Sequence, residues 1–290
     1  MKATAFAPGH ISAFFEPIYH QQDNLRSGSR GAGITITLGA TSQVSMQPSI
    51  HQILDVFINK RKTAAPVTKL AIQHLIGTQP IHITVHTFLD LPMGQGFGMS
   101  GAGALSSCLA LASLIKLPAE DAIKAAHNAE VSLRTGLGDI LASSFGGIEI
   151  RREAGLPPWG MIEHIPGSYP ITLCILGSKI DTKRILTNKT QIQDISSYGR
   201  YCTKKIVEKP SIENLFSLGQ LFSTKTGLAQ KKTLEAIHTA NHHGHASMCM
   251  LGNSIFAIGE TEELCKTLVQ FGKVFLCEVD LYGARKIEEK

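Results

Sequence analysis

The stretch LPMGQGFGMSGAGALSSCLAL, from Leu91 to Leu111, constrains this chain more than any other. Five glycines fall between Gly94 and Gly103, and an apolar run follows directly behind them. Glycine loses more backbone freedom on folding than any other residue, so such a density calls for a structural reason. A packing corner would need one or two. Five, with Ser100 and Ala102 between them, leave successive N–H groups uncovered at the mouth of a helix. That helix end carries partial positive charge and donors without intrahelical partners, which suits an anion. A phosphate cradle is the better reading of the loop, and close helix–sheet packing the alternative.

Two familiar phosphate templates do not fit. The P-loop pattern G-x-x-x-x-G-K-[ST] fails because no lysine follows these glycines. The pattern G-x-G-x-x-G is met by Gly96, Gly98 and Gly101, but Asp90, Leu91 and Pro92 separate it from the preceding strand. The acidic residue further on, Glu120, opens a helix instead of closing a second strand, so a dinucleotide site is disfavoured.

Around the loop, periodicity predicts strands over 2–7, 33–47, 81–88, 147–152, 170–177 and 273–280. Helices are expected over 49–61, 67–76, 100–116, from Pro118 to the RTGLGD turn, 139–145 and 260–270, with several more in 183–240. SMCML and SIFAIG read as a hairpin turned at Gly252 and Asn253. The Pro- and Gly-rich EAGLPPWG (153–160) is the best domain boundary, giving domains 1–155 and 156–290. Strands and helices mix without a regular βαβ repeat, which argues α+β.

Composition excludes several classes. In 290 residues, the hydrophobic share of 43% and charged share of 18% suit a globular core, and no apolar run approaches the ~18 residues of a membrane span. The N-terminal apolar stretch before Pro8 is too short for a signal peptide. Six cysteines stand widely apart without a CxxC pair, as expected of a cytoplasmic protein with reduced thiols. A net charge of +5 suits small anions, while NKRK, TKK and QKK lack the aromatic neighbours of a nucleic-acid surface.

A second constellation lies in HNAEVSLRTGLGD. Helical spacing puts His127, Glu130 and Arg134 on one flank, beside a buried stripe of Ala122, Ala126, Ala129 and Leu133. A solvated flank with a Glu130–Arg134 pair is the plain reading of that helix alone. Should Glu130 and Asp139 converge on Ser100, the site would hold a hydroxyl, a metal-binding carboxylate and a base, the parts phosphoryl transfer requires.

These residues bring out a family resemblance. PMGQGFGMSGA (Pro92–Ala102) resembles the P-x-G-x-G-L-G-S-S-A-A signature of the GHMP kinases, APGHISAFFE (Ala7–Glu16) their first motif, and HGHASMCMLGNS (His243–Ser254) their third. Together with GSRGAGI, AEVSLRTGLGDI and FGGIEIRR, the motifs are similar to those of the archaeal pantoate kinases, which act on the route to coenzyme A. The resemblance implies an N-terminal domain like the second domain of ribosomal protein S5, a ferredoxin-like C-terminal domain, and an active site between them. It implies ATP phosphates on Gly94, Gln95, Gly96, Phe97, Gly98, Met99, Ser100, Gly101 and Ala102, with Ser100 and Glu130 on Mg²⁺ and Asp139 as catalytic base. Met99 replaces the signature's first Ser, so that hydroxyl is absent. Ser29, His127, Arg151 and Thr182 are the implied contacts to pantoate. Arg151 makes chemical sense there, since a guanidinium offers a two-pronged donor to a carboxylate.

Alternatives at this level are a GHMP kinase for shikimate, homoserine or mevalonate, and a non-catalytic nucleotide-binding module. The cluster His238, His242, His243 and His245 includes an i, i+4 pair but no completing Cys or carboxylate, so loop positioning is preferred to a structural metal. A homodimer is the default expectation.

Overall fold

The computed structural model describes residues 1–179 and 189–288. Its frame is a long antiparallel hairpin of β1 (Lys2–Ile18) and β2 (Gly28–Pro48). The alternation seen at 2–7 does not end at Pro8. The register shifts between Pro8 and Gly9, a bulge that absorbs the missing N–H, and pairing resumes to Ile18. β2 is long enough to serve two further partners: residues 40–48 pair with β5 (Ile81–Leu89), and residues 31–34 pair with β6 (Ile148–Glu153). β3 (Ile53–Ile58), β4 (Arg61–Lys62), β7 (Met161–Ile165) and β12 (Arg285–Ile287) complete an eight-stranded sheet ordered β12-β1-β2-β5-β3-β4, with β6 and β7 branching from β2.

The helix expected over 49–61 is instead β3 and β4. Ile50, Ile53, Leu54 and Phe57 mimic helical spacing, but Ile53–Ile58 is rich in β-branched and aromatic residues and pairs in parallel with β5. A free sheet edge decides between the two periods.

α1 (Pro66–Ile76), α2 (Met99–Ile115), α3 (Ala119–Leu133) and α4 (Asp139–Phe145) pack together with this sheet. The first half of α2 is buried on every side, from Gly101 to Cys108, and small residues let it lie close to β1 and β2. Its buried hydroxyls are paired, with Ser42 Oγ 2.8 Å from Ser106 Oγ and 2.8 Å from Thr87 Oγ1.

The second sheet is fully antiparallel, in the order β11 (Lys273–Glu278), β8 (Pro170–Ile175), β10 (Ser254–Gly259), β9 (Gly244–Met248). α6 (Ile212–Lys225), α7 (Lys231–Ala240) and α8 (Thr261–Leu268) pack on it, whereas α5 (Lys189–Glu208) packs against α6 and against β1, β2 and β6 of the first sheet. The architecture is α+β, with the expected hairpin at β9–β10. The 155/156 division falls in the loop between β6 and β7, and sheet membership changes only after Ile165. The apolar core runs without a break from Ile11 and Phe14 to Phe216 and Phe256, and Phe15 meets Phe222 at 5.8 Å.

Phe216 is fully buried, with its ring 4.8 Å from Phe256. Phe216→Ala is expected to cost about 3–5 kcal/mol of unfolding free energy by cavity formation, read from the denaturation midpoint.

Candidate functional site

The glycine loop is gripped from behind. Gly94, Gly96 and Gly98 take φ of 78°, 77° and 63°, a region other residues avoid. The His10 amide donates to the Phe97 carbonyl at 3.1 Å, and Gln95 Nε2 donates to the Gly177 carbonyl at 2.9 Å. Ser254 Oγ donates to the Gln95 carbonyl, and a side chain at Gly252 would lie 2.1 Å from the Gln95 backbone. Strand β1 and the β9–β10 hairpin therefore press on the back of the loop and leave its face open. No side chain caps α2, so the donors of its first turn are available beside the exposed Ser100. Met99 is buried, and its methyl group occupies the space a side chain on Gly9 would need, 2.7 Å away. Where the family signature has a hydroxyl, this chain has a packing anchor.

Loop and α2 form one wall of a cleft of about 790 Å³, counted with its open mouth. The 135–139 turn forms the other wall, and Ser12, Ser29 and Met250 also line it. Glu130 reaches in from α3 and is buried. Its Oε1 lies where side chains on Gly101 and Gly136 would be, 2.7 and 2.5 Å away, and Oε2 has no partner among the described residues. Burial, aided by the charge of Asp139 and opposed by a backbone hydrogen bond from Ile140, pushes its pKa well above the usual carboxylate range. The Glu130–Arg134 pair is not formed among the described residues; Arg134 turns instead toward the Tyr19 ring at 5.9 Å. Leu133 of the expected buried stripe is exposed, whereas the three alanines are buried.

Asp139 opens α4 and faces the cleft. Its Oδ1 lies 2.7 Å from His10 Nδ1, and His10 Nε2 lies 2.9 Å from Glu149 Oε1. Arg151 Nη1 donates to the same Glu149 oxygen and Nη2 to Ser12 Oγ at 3.0 Å, while Nε is left without a partner among the described residues. Burial alone would lower the His10 pKa, but the charge of Glu149 and the hydrogen bonds to both carboxylates outweigh it and raise it. Ser29 Oγ and Arg151 Nε both approach Gly138, 2.5 and 2.9 Å from where its side chain would be.

Ser29, Ser100, Glu130 and Asp139 thus line one cleft, Arg151 stands fully buried behind its Gly138, and His127 lines no part of it. Its ring is buried with Nε2 between the carbonyls of Asn24 and Ser27 at 2.9 and 3.0 Å, and burial lowers its pKa. These bonds make it an anchor for the β1–β2 loop rather than a cleft-lining contact. Thr182 lies outside the described residues. In the histidine cluster, His238 and His242 meet ring to ring at 5.3 Å, and no metal-binding group of three is found among the described residues. Sequence reading gave no role to His10, Ser12 and Glu149. The available signal was spacing: His10 and Ser12, like Glu149 and Arg151, stand two apart and so face one side of their strands.

Residues 62–147, which include the glycine loop, Glu130 and Asp139, match the profile of the GHMP kinases N terminal domain. A pantoate kinase of Methanocaldococcus jannaschii is 33% identical, covering 94% of this chain and 99% of its own length. A pantoate kinase of Methanospirillum hungatei is 32% identical, covering 94% of this chain and 92% of its own. Among solved structures, a "phosphotransferase related to CoA biosynthesis pathway" superposes with a TM-score of 0.89 at 28% identity, over 99% of this chain and 98% of that one.

His127→Ala leaves two buried carbonyls without their donor and is expected to cost about 1–3 kcal/mol of stability. Chemical denaturation checks this. An unchanged midpoint with a raised Michaelis constant would restore the direct-contact reading.

Proposed function

The chain belongs to the pantoate kinases of the GHMP kinase family, and on that footing we propose that it transfers the γ-phosphoryl group of ATP to the primary hydroxyl of pantoate. The products are 4-phosphopantoate and ADP, on the way to coenzyme A. The observation that carries this reading is convergence on one turn: Glu130 and Asp139 lie against Gly136, while Ser29 and Arg151 lie against Gly138.

The glycine loop and the first turn of α2 offer backbone donors to the nucleotide phosphates, as an uncapped helix start does for anions. Ser100 and Glu130 would hold Mg²⁺. The fit rests on the buried, unpartnered Oε2 of Glu130, a hard oxygen ligand whose burial calls for a cation. When bound, the ion supplies neutralisation of charge between the phosphates. Asp139 accepts the proton of the pantoate hydroxyl as that oxygen bonds to the γ-phosphorus and the bond to ADP breaks. Its hydrogen bond with His10 fixes the carboxylate's direction. With its Nη groups taken by Glu149 and Ser12, Arg151 keeps Nε, beside Ser29 and Gly138, as the donor it would offer the acceptor carboxylate. Among the described residues no helix is long and apolar enough to cross a membrane. We assign the reaction to the cytoplasm and to a homodimer, the commonest closed assembly.

Two substitutions test these roles. Asp139→Asn should lower kcat at least about a hundredfold, the scale of general-base catalysis, while Kd for ATP changes less than about threefold. Unchanged turnover would remove Asp139 as the base. Arg151→Lys keeps the charge but loses the planar fork, and should raise KM for pantoate about tenfold with KM for ATP unaltered. Steady-state kinetics with each substrate varied separately gives both answers.

A further inference from the structure

The cleft is backed by a buried ionisable group that the mechanism above leaves unused. Glu149 is fully buried on β6, and its Oε1 receives both Arg151 Nη1 and His10 Nε2. We propose that Glu149 is a positioning residue, a clamp that ties the acceptor-binding cation Arg151 to the catalytic base Asp139 through His10. The inference rests on the assignment of Asp139 as base.

Strand order builds the clamp. β2 lies between β1 and β6, and Gly33 of β2 stands in register with Ser12 on one side and Glu149 on the other. A side chain on Gly33 would lie 2.7 Å from His10 Nε2 and 2.9 Å from Glu149 Oε1, so this glycine gives imidazole and carboxylate the space in which they meet. Both ring nitrogens of His10 face carboxylates, Asp139 from α4 and Glu149 from β6, and only the doubly protonated ring donates to both. Arg151 is the opposing group: its Nη1 lies 3.2 Å from His10 Nε2 and could donate there only to a neutral ring, a longer contact than the 2.9 Å to Glu149 Oε1. With two carboxylates against one guanidinium, the balance favours the imidazolium, as the raised pKa of His10 also indicates. Glu149 thereby keeps His10 charged and holds Asp139 aimed at the cleft, while its other contact fixes the Arg151 fork.

Glu149→Gln in the full chain is the test, with Mg·ATP and pantoate. Without the carboxylate, His10 loses its proton at lower pH, so the alkaline limb of kcat should move to lower pH by about one pH unit. At neutral pH, kcat should fall about tenfold or more, the cost of a misaimed catalytic group. KM for pantoate should rise and KM for ATP should stay within twofold. Loss of stability alone would lower active enzyme without moving the limb, and an unmoved limb overturns the clamp. Should Glu149→Gln not fold, ¹⁵N NMR of the ring nitrogens in the unaltered protein decides. An imidazolium at pH 7.5 supports the clamp, and a neutral tautomer overturns it. Turnover retained by Asp139→Asn would sink the base assignment itself; turnover lost there, with an unmoved limb in Glu149→Gln, sinks the clamp alone.

Discussion

Two carboxylates, Glu130 and Asp139, face a cleft shaped for a polyanion, and the surrounding structure offsets that repulsion. Unit charges about 4 Å apart repel by about 4 kcal/mol at the effective dielectric of a protein. Gly101 and Gly136 make room for Glu130, whose unpartnered oxygen suits a cation, and His10 supplies Asp139 with a buried donor. The start of α2, which carries no acidic side chain of its own, lies directly against both, with Glu130 at Gly101 and Asp139 at Gly98. Helix-start donors and paired acids side by side make a site where a nucleotide and a hydroxyl acceptor can meet.

The fold fixes these positions through strand register more than through loops. His10 and Glu149 are 139 residues apart in sequence, and they meet because β1, β2 and β6 are adjacent, with Gly33 flat between them. The glycine loop, by contrast, is shaped by its own φ angles and then clamped by β1 and the β9–β10 hairpin. Elements of both sheets therefore touch the phosphate cradle, and the continuous core behind them holds the two walls at one spacing.

What was legible in the sequence was local. The glycine run, the small-residue, largely apolar helix behind it and the acidic pair at 130 and 139 each sit within a few turns of chain, where spacing reports geometry directly. The segment 49–61 misled because Ile50, Ile53, Leu54 and Phe57 satisfy a helical period while the backbone joins a sheet edge. β7 and β12 have five and three residues, too few to leave an alternation that stands out. The surroundings of His127 were hidden for a different reason. Its flank of α3 looked solvated, but the loop between β1 and β2 folds over it and buries it. Pairings set by tertiary register, such as His10 with Glu149, leave only an i, i+2 trace on each strand.

Every residue role above depends on one reaction, the phosphorylation of pantoate in this cleft. ADP release by the purified protein with Mg·ATP, measured against pantoate, shikimate, homoserine and mevalonate in parallel, tests it most directly. Turnover is expected with pantoate, with phosphorus NMR showing a single phosphomonoester on its primary hydroxyl. Turnover with another of these acids and none with pantoate would contradict it.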